Sequence, residues 1–205
     1  MQHTKGILTG SLAVILLAAW MVVGSGCGKA AQTVTEKVTE KAIERSIAKD
    51  GGSADVKLDS KSGTMQMKGK DASGNDYEMK TGSDKDGFQF KQTGKDGSVT
   101  QMGTGAKLPA DFPKDIPLPD GLQVQLVQSS PEKKEHVVQG TSSTAVDKLG
   151  AFFKEKTPAQ GWKELTTMNA GDMQTFHYEK DERVLSVMHM KQDTTTTISI
   201  QTSLK

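Results

Sequence analysis

"MQTFHYEKDERVLSVMHMK", residues 173–191, alternates apolar and polar side chains on both sides of the acidic pair Asp181–Glu182. Alternation at period two marks a half-buried strand, and two such runs split by two turn residues read as a hairpin. A two-residue turn sets Lys180 opposite Arg183, His177 opposite Ser186 and His189 opposite Gln174. The two histidines therefore diverge. Phe176, Tyr178, Leu185 and Val187 share one face with Ile198 and Ile200 of the next run, and form the expected core face. Val184, Met188 and Met190 point the other way, toward the repetitive stretch of residues 54–105 or a partner.

Working outward, "WKELTTM" (162–168) and "TTISIQTSL" (196–204) read as further strands, with turns at 169–172 and 192–195. "LQVQLVQ" (122–128) and "EHVVQGTS" (135–142) give two more. Between the pairs, "TAVDKLGAFFKEKT" (144–157) has helical periodicity, with Val146, Leu149 and Phe153 as its core stripe. Thr144 and Asp147 have capping-box spacing, and Pro158 and Gly161 end the helix. Residues 122–205 thus read as a ββαββββ domain, one helix packed on an antiparallel sheet.

Residues 54–105 repeat a different unit: "ADVKLD", "TMQMKGK", "DYEMKTG", "GFQFKQTG" and "SVTQMGTG", separated by Gly, Asp, Asn and Ser turns. This is a five-stranded antiparallel meander. Val56, Met65, Tyr77, Phe88 and Val99 are its expected apolar face, with Lys57, Gln66, Glu78, Gln89 and Thr100 opposite. One thin apolar face needs a cover, and the helix before it is the nearest candidate. "SDKDG" and "GKDG" lack the alternating carboxylates and distal Glu of a calcium loop, so ordinary turn chemistry accounts for them.

The covering helix is read from "TVTEKVTEKAIERSIAKDGG" (33–52), with Thr33 and Glu36 as a capping box and Gly51–Gly52 as the stop. Residues 28–32 are a short tether. Val34, Val38 and Ala42 form one stripe, Ile43 and Ile47 another. Glu36, Glu40 and Glu44 run beside Lys37, Lys41 and Arg45. A solvated spacer face and a face pairing with a partner both fit. "KLPADFPKDIPLPDG" (107–121) holds four of the six prolines and cannot join a central strand. Residues 106–121 therefore mark a boundary, and Leu108, Phe112, Ile116 and Leu118 lay the segment along a surface.

At the amino end, Lys5 precedes an apolar run from Ile7 to Val23, and Gly24, Ser25 and Gly26 lead to Cys27, the only cysteine. A basic start, a short apolar stretch and small residues form the plan of a secretory signal. An uncleaved span of about 17–25 residues and secretion without a lipid stay open beside processing at Cys27. "GSGC" resembles the lipobox of bacterial lipoproteins, although Gly24 stands where that family prefers an aliphatic residue. The resemblance implies cleavage after residue 26, diacylglycerol on the Cys27 sulfur and acylation of the new amino terminus. With Gly28 after the cysteine, it implies a lipid anchor in the outer membrane facing the periplasm, where the cell has one. The layout of a repetitive part, a Pro-rich run and a small α+β domain resembles uncharacterised predicted lipoproteins, which implies organisation and no activity.

The fold class is α+β, in five stretches. These are a signal peptide (1–26), anchor, tether and amphipathic helix (27–53), meander (54–105), Pro-rich linker (106–121) and C-terminal domain (122–205). Beyond the leader the chain carries 25 basic and 25 acidic residues with no basic block, which argues against nucleic acid. Only 34% of residues are hydrophobic and 5% aromatic, so the core is thin. The mature chain offers no cysteine nucleophile, no nucleophile elbow and no phosphate loop, and its histidines (His136, His177, His189) form no pair. No catalytic residue and no cofactor is expected. Met65 with Met67, and Met188 with Met190, place thioether pairs on one strand face each. Soft sulfur suits Cu(I); flexible gap-filling in a small core is the competing role. The expectation is a lipid-anchored, non-catalytic envelope protein that binds an envelope-protein or cell-wall partner. The alternative is a small-ligand or Cu(I) carrier.

Overall fold

In the computed structural model, which describes residues 29–82 and 87–205, helix α1 (Lys29–Lys49) leads into β1 (Ser53–Asp59) and β2 (Thr64–Lys70). Then follow β3 (Asp76–Thr81), β4 (Phe88–Thr93), β5 (Val99–Gly103), β6 (Gln123–Ser130) and β7 (Glu135–Ser142). Helix α2 (Val146–Ala159) precedes β8 (Lys163–Ala170), β9 (Met173–Lys180), β10 (Arg183–Gln192) and β11 (Thr195–Leu204). The strands form one antiparallel sheet in the order β1-β2-β3-β4-β5-β6-β7-β11-β10-β9-β8. The expected class, helices packed on a largely antiparallel sheet, is what the chain forms. The leader, Cys27 and most of the "SDKDG" turn lie outside the described residues.

The hairpin quoted above has the expected register, with Lys180 opposite Arg183, His177 opposite Ser186 and His189 opposite Gln174. Asp181 takes a positive φ of 52°, which an Asp tolerates in a tight turn. Other expectations shift. Helix α1 starts at Lys29, so the tether at 28–32 is largely helical and Thr33 lies inside the helix rather than capping it. The stop is as read: Gly51 N–H donates to Ala48 O and Gly52 N–H to Ile47 O, with Gly51 at φ 83°, a Schellman ending. Helix α2 has Ala145 as its N-cap with no side-chain cap. The expected Thr144–Asp147 box does not form, because Thr144 lies one residue too early and its carbonyl accepts from the Thr196 hydroxyl at 2.8 Å.

Residues paired across strands share a face, so the register assigns faces to the whole sheet. One row runs Ile200–Val138–Val127–Gln101–Lys91–Glu78–Lys68–Asp55. It is apolar over β6, β7 and β11, neutral and polar at Gln101 of β5, and charged over β1–β4. The neighbouring row, on the opposite face, runs Val56–Met67–Met79–Phe90–Met102–Leu126–Gln139–Ser199–Met188–Thr175–Met168. The sheet thus exchanges its apolar face where β5 meets β6. On the first face, Leu149 and Phe153 of α2 pack with Trp162, Phe176, Tyr178, Leu185, Val187, Ile198 and Ile200. On the second, Ile43 and Ile47 of α1 pack with Val56, Met67 and Met79.

One expectation about the meander is corrected. Val99 does not belong to its apolar face: the turn at 94–98 sets Val99 opposite Thr93, on the charged side, and Thr100 takes the other. The Pro-rich run stays out of the strands as expected, while β5 before it pairs directly with β6 after it. Lacking N–H donors, the prolines exclude residues 106–121 from the ladder, and the segment straps across the first face. Ile116 is buried in the core there, with Phe112 and Leu118 packed against it.

Candidate functional site

Helix α1 runs along the free edge of β1, and its acidic line meets that edge. Glu44 Oε1 accepts the Val56 N–H at 3.2 Å, Glu40 Oε1 the Leu58 N–H at 2.8 Å and Glu36 Oε1 the Ser60 N–H at 2.9 Å. The Ser60 hydroxyl also donates to Glu36. The match is metric: four residues of helix advance about 6 Å and two residues of strand about 6.8 Å. Residues 36, 40 and 44 can therefore address alternate N–H groups of an antiparallel strand. An exposed edge is a template for unwanted pairing, and this one is sealed. The reading of Glu36, Glu40 and Glu44 as a wholly solvated face is thereby corrected, since Glu40 is buried.

These contacts hold all three carboxyls below the ordinary Glu value. The Ser60 hydroxyl is the main cause at Glu36, the Leu58 amide at Glu40 and Lys41 at Glu44. With the acids turned inward, the outer side of α1 presents Val34 and Val38, 64% and 65% exposed, with Lys37, Lys41 and Arg45. Lys37 and Lys41 reach across to Glu40 and Glu44 at 3.0 and 2.6 Å. A shallow groove on this side is lined by Thr33, Val34, Lys37, Val38, Lys41 and Arg45.

A second cluster pins the strap. Asp115 receives Arg183 Nη1 at 3.1 Å, Arg183 Nη2 at 2.5 Å and Lys180 Nζ at 2.7 Å. Its carbonyl accepts the Trp162 indole N–H at 2.8 Å, and the Arg183 guanidinium stacks 4.8 Å from the Trp162 ring. The fork of Arg183 matches a carboxylate bidentately and holds the Asp115 carboxyl down at about 2. Sequence reading did not single out Asp115, because its partners lie far along the chain and no local pattern joins them.

The histidines stay apart, as the register requires. His136 is buried edge-on to Phe112 at 5.7 Å between ring centres. His189 is fully buried between Phe153 and Phe176, at 6.1 and 5.5 Å, and its Nε2 lies 3.1 Å from Gln174 Oε1. Burial pushes its pKa below the ordinary imidazole value. Among the described residues no cluster of His, Cys, Asp and Glu has the makings of a metal site.

The structure separates the two methionine pairs. Met67 is buried under α1 with Met65 beside it, which is the packing role. Met188 and Met190 are 37% and 38% exposed on the second face of β10. Met190 stands opposite Met173 in register, a pairing that the two-residue turn itself fixes.

A family model described as START domain-like matches residues 122–202. The match supports a small domain in this stretch, which carries α2, Asp115's partners Lys180 and Arg183, and the exposed methionines. No curated protein and no solved structure matches the chain. Among the described residues no helix is long and apolar enough to cross a membrane.

Proposed function

We propose that this is a lipid-anchored protein of the cell envelope, held to the membrane through the Cys27 sulfur. In this reading it faces the periplasm from an outer membrane, and its sheet is a non-catalytic module that engages an envelope-protein or cell-wall partner. The observation that carries the reading is the sorting of charge on α1. The helix begins two residues after Cys27, turns its glutamates onto β1 and leaves valines and basic groups outward. A basic, modestly apolar helix face suits the headgroup region of an anionic bilayer, where it adds to the hold of the acyl chains on Cys27. The rest of the chain then stands off the surface with its Pro-strapped, START domain-like stretch presented outward.

The test is an intact mass of the protein purified from membranes. Processing before Cys27 with diacylglycerol and an acyl chain on that residue supports the reading. A free Cys27 thiol, with the leader retained or removed, overturns it. Partner capture by crosslinking in intact cells then addresses the module, and a protein that acquires no crosslink to any envelope component contradicts that half.

A further inference from the structure

The second face of β8, β9 and β10 carries a feature that packing does not account for. Thr175 of β9 stands opposite Met188 of β10 and Met168 of β8. Met173 precedes it by two residues on the same strand face, and Met190 stands opposite Met173. Four methionines thus ring one threonine. They are Met168, Met173, Met188 and Met190, half of those beyond the leader. Met168, Met188 and Met190 are exposed, and neither α1, α2 nor the strap packs on this patch, since α2 and the strap cover the opposite face.

Thr175 is nevertheless only 9% exposed. Ser186, Ser199 and Thr197 share this face on more central strands and are only half-buried. The side chains that flank Thr175 in register shield it, and four of them are methionines. The hairpin phase helps: counting from the Lys180–Arg183 turn pair, Met173–Met190 and Thr175–Met188 fall at non-hydrogen-bonded positions, where side chains approach most closely.

We propose that Met168, Met173, Met188 and Met190 form a binding site for a soft monovalent metal ion of the Cu(I) class. Thioether sulfur is neutral, polarizable and selective for Cu(I), which accepts few ligands without strict geometry. The patch holds no carboxylate: its other members are Thr166, Ala170, Thr175, His177, Ser186, Thr197 and Ser199, with His177 between Thr166 and Ser186. Hard divalent cations find no oxygen cage there. A sheet supplies the preorganisation, because adjacent strands fix the backbone beneath each sulfur donor. The site is independent of how the chain is attached to the membrane.

The experiment is an anaerobic titration of the full-length protein with Cu(I) against a chromophoric Cu(I) chelator. It is repeated with Ag(I), which does not change redox state, while the methionine methyl carbons are followed by NMR. Competitive uptake of one equivalent is expected, with the methyl signals of residues 168, 173, 188 and 190 shifting and those of Met65, Met67 and Met79 unmoved. Met173→Leu/Met188→Leu/Met190→Leu conserves apolar volume and should lose the bound equivalent while melting like wild type. Unchanged uptake by that triple variant, or no competition with the chelator, overturns the proposal. Should the triple variant fail to fold, the Ag(I) methyl shifts of the wild type decide alone.

Discussion

The substitution Asp115→Asn isolates the charge that fastens the strap to the sheet. The carboxyl is 22% exposed, and Arg183, then Lys180, hold its pKa at about 2 instead of 3.8. At about 1.36 kcal/mol per unit, that difference stabilises the native state by about 2 kcal/mol at neutral pH. The sign follows from linkage: a carboxyl whose native pKa is depressed stabilises the fold above its unfolded value. The contribution fades as pH falls through about 4 and is gone near 2. The amide in the variant has no such titration, so wild type and variant converge once the wild-type carboxyl is protonated. At about 2–4 °C per kcal/mol for a chain of this size, the variant should melt about 4–8 °C below wild type at pH 7. The gap should narrow between pH 4 and pH 2. Trp162 emission is the natural probe, because its indole donates to the Asp115 carbonyl and stacks under Arg183. A gap below about 1 °C at pH 7, or one that stays constant down to pH 2, refutes the electrostatic account.

Glu40→Ala leaves the Leu58 N–H without its acceptor and should cost about 1–3 kcal/mol in urea unfolding, with more self-association through the opened β1 edge. Glu36→Ala, at the solvated end of the ladder, should cost less, and equal losses would count against a graded seal. The His189 ring should titrate below the ordinary imidazole midpoint in an NMR pH series. Its buried neutral form means that native stability declines as pH drops below about 6.5. A normal midpoint would show that the ring is solvated.

Much of the C-terminal stretch was legible because its signals are local. Two turn residues between alternating runs fix which residues face one another, and the pairs Lys180–Arg183, His177–Ser186 and His189–Gln174 all form. The helix stop at Gly51–Gly52 was equally local. Misreadings began where one residue of phase or one non-local partner decided the outcome. The turn at 94–98 put Val99 on the charged side. The Thr144 box failed by one residue of position. Asp115 was invisible because its partners Trp162, Lys180 and Arg183 become its neighbours only once the strap crosses the sheet.

The amino-acid sequence alone determined strands, turns and the alternation that divides each strand into two faces, because side chains alternate at period two whatever the strand packs against. It also placed Met188 and Met190 on one face and acids every fourth residue along α1. Only the tertiary structure decided what each face meets. The pairing of β5 with β6 joins two expected parts into one sheet whose apolar side changes at that junction. Docking of α1 on the β1 edge turns a line of glutamates from solvent into hydrogen-bond acceptors. Burial depends on which surfaces the connections bring together, and no local periodicity encodes that.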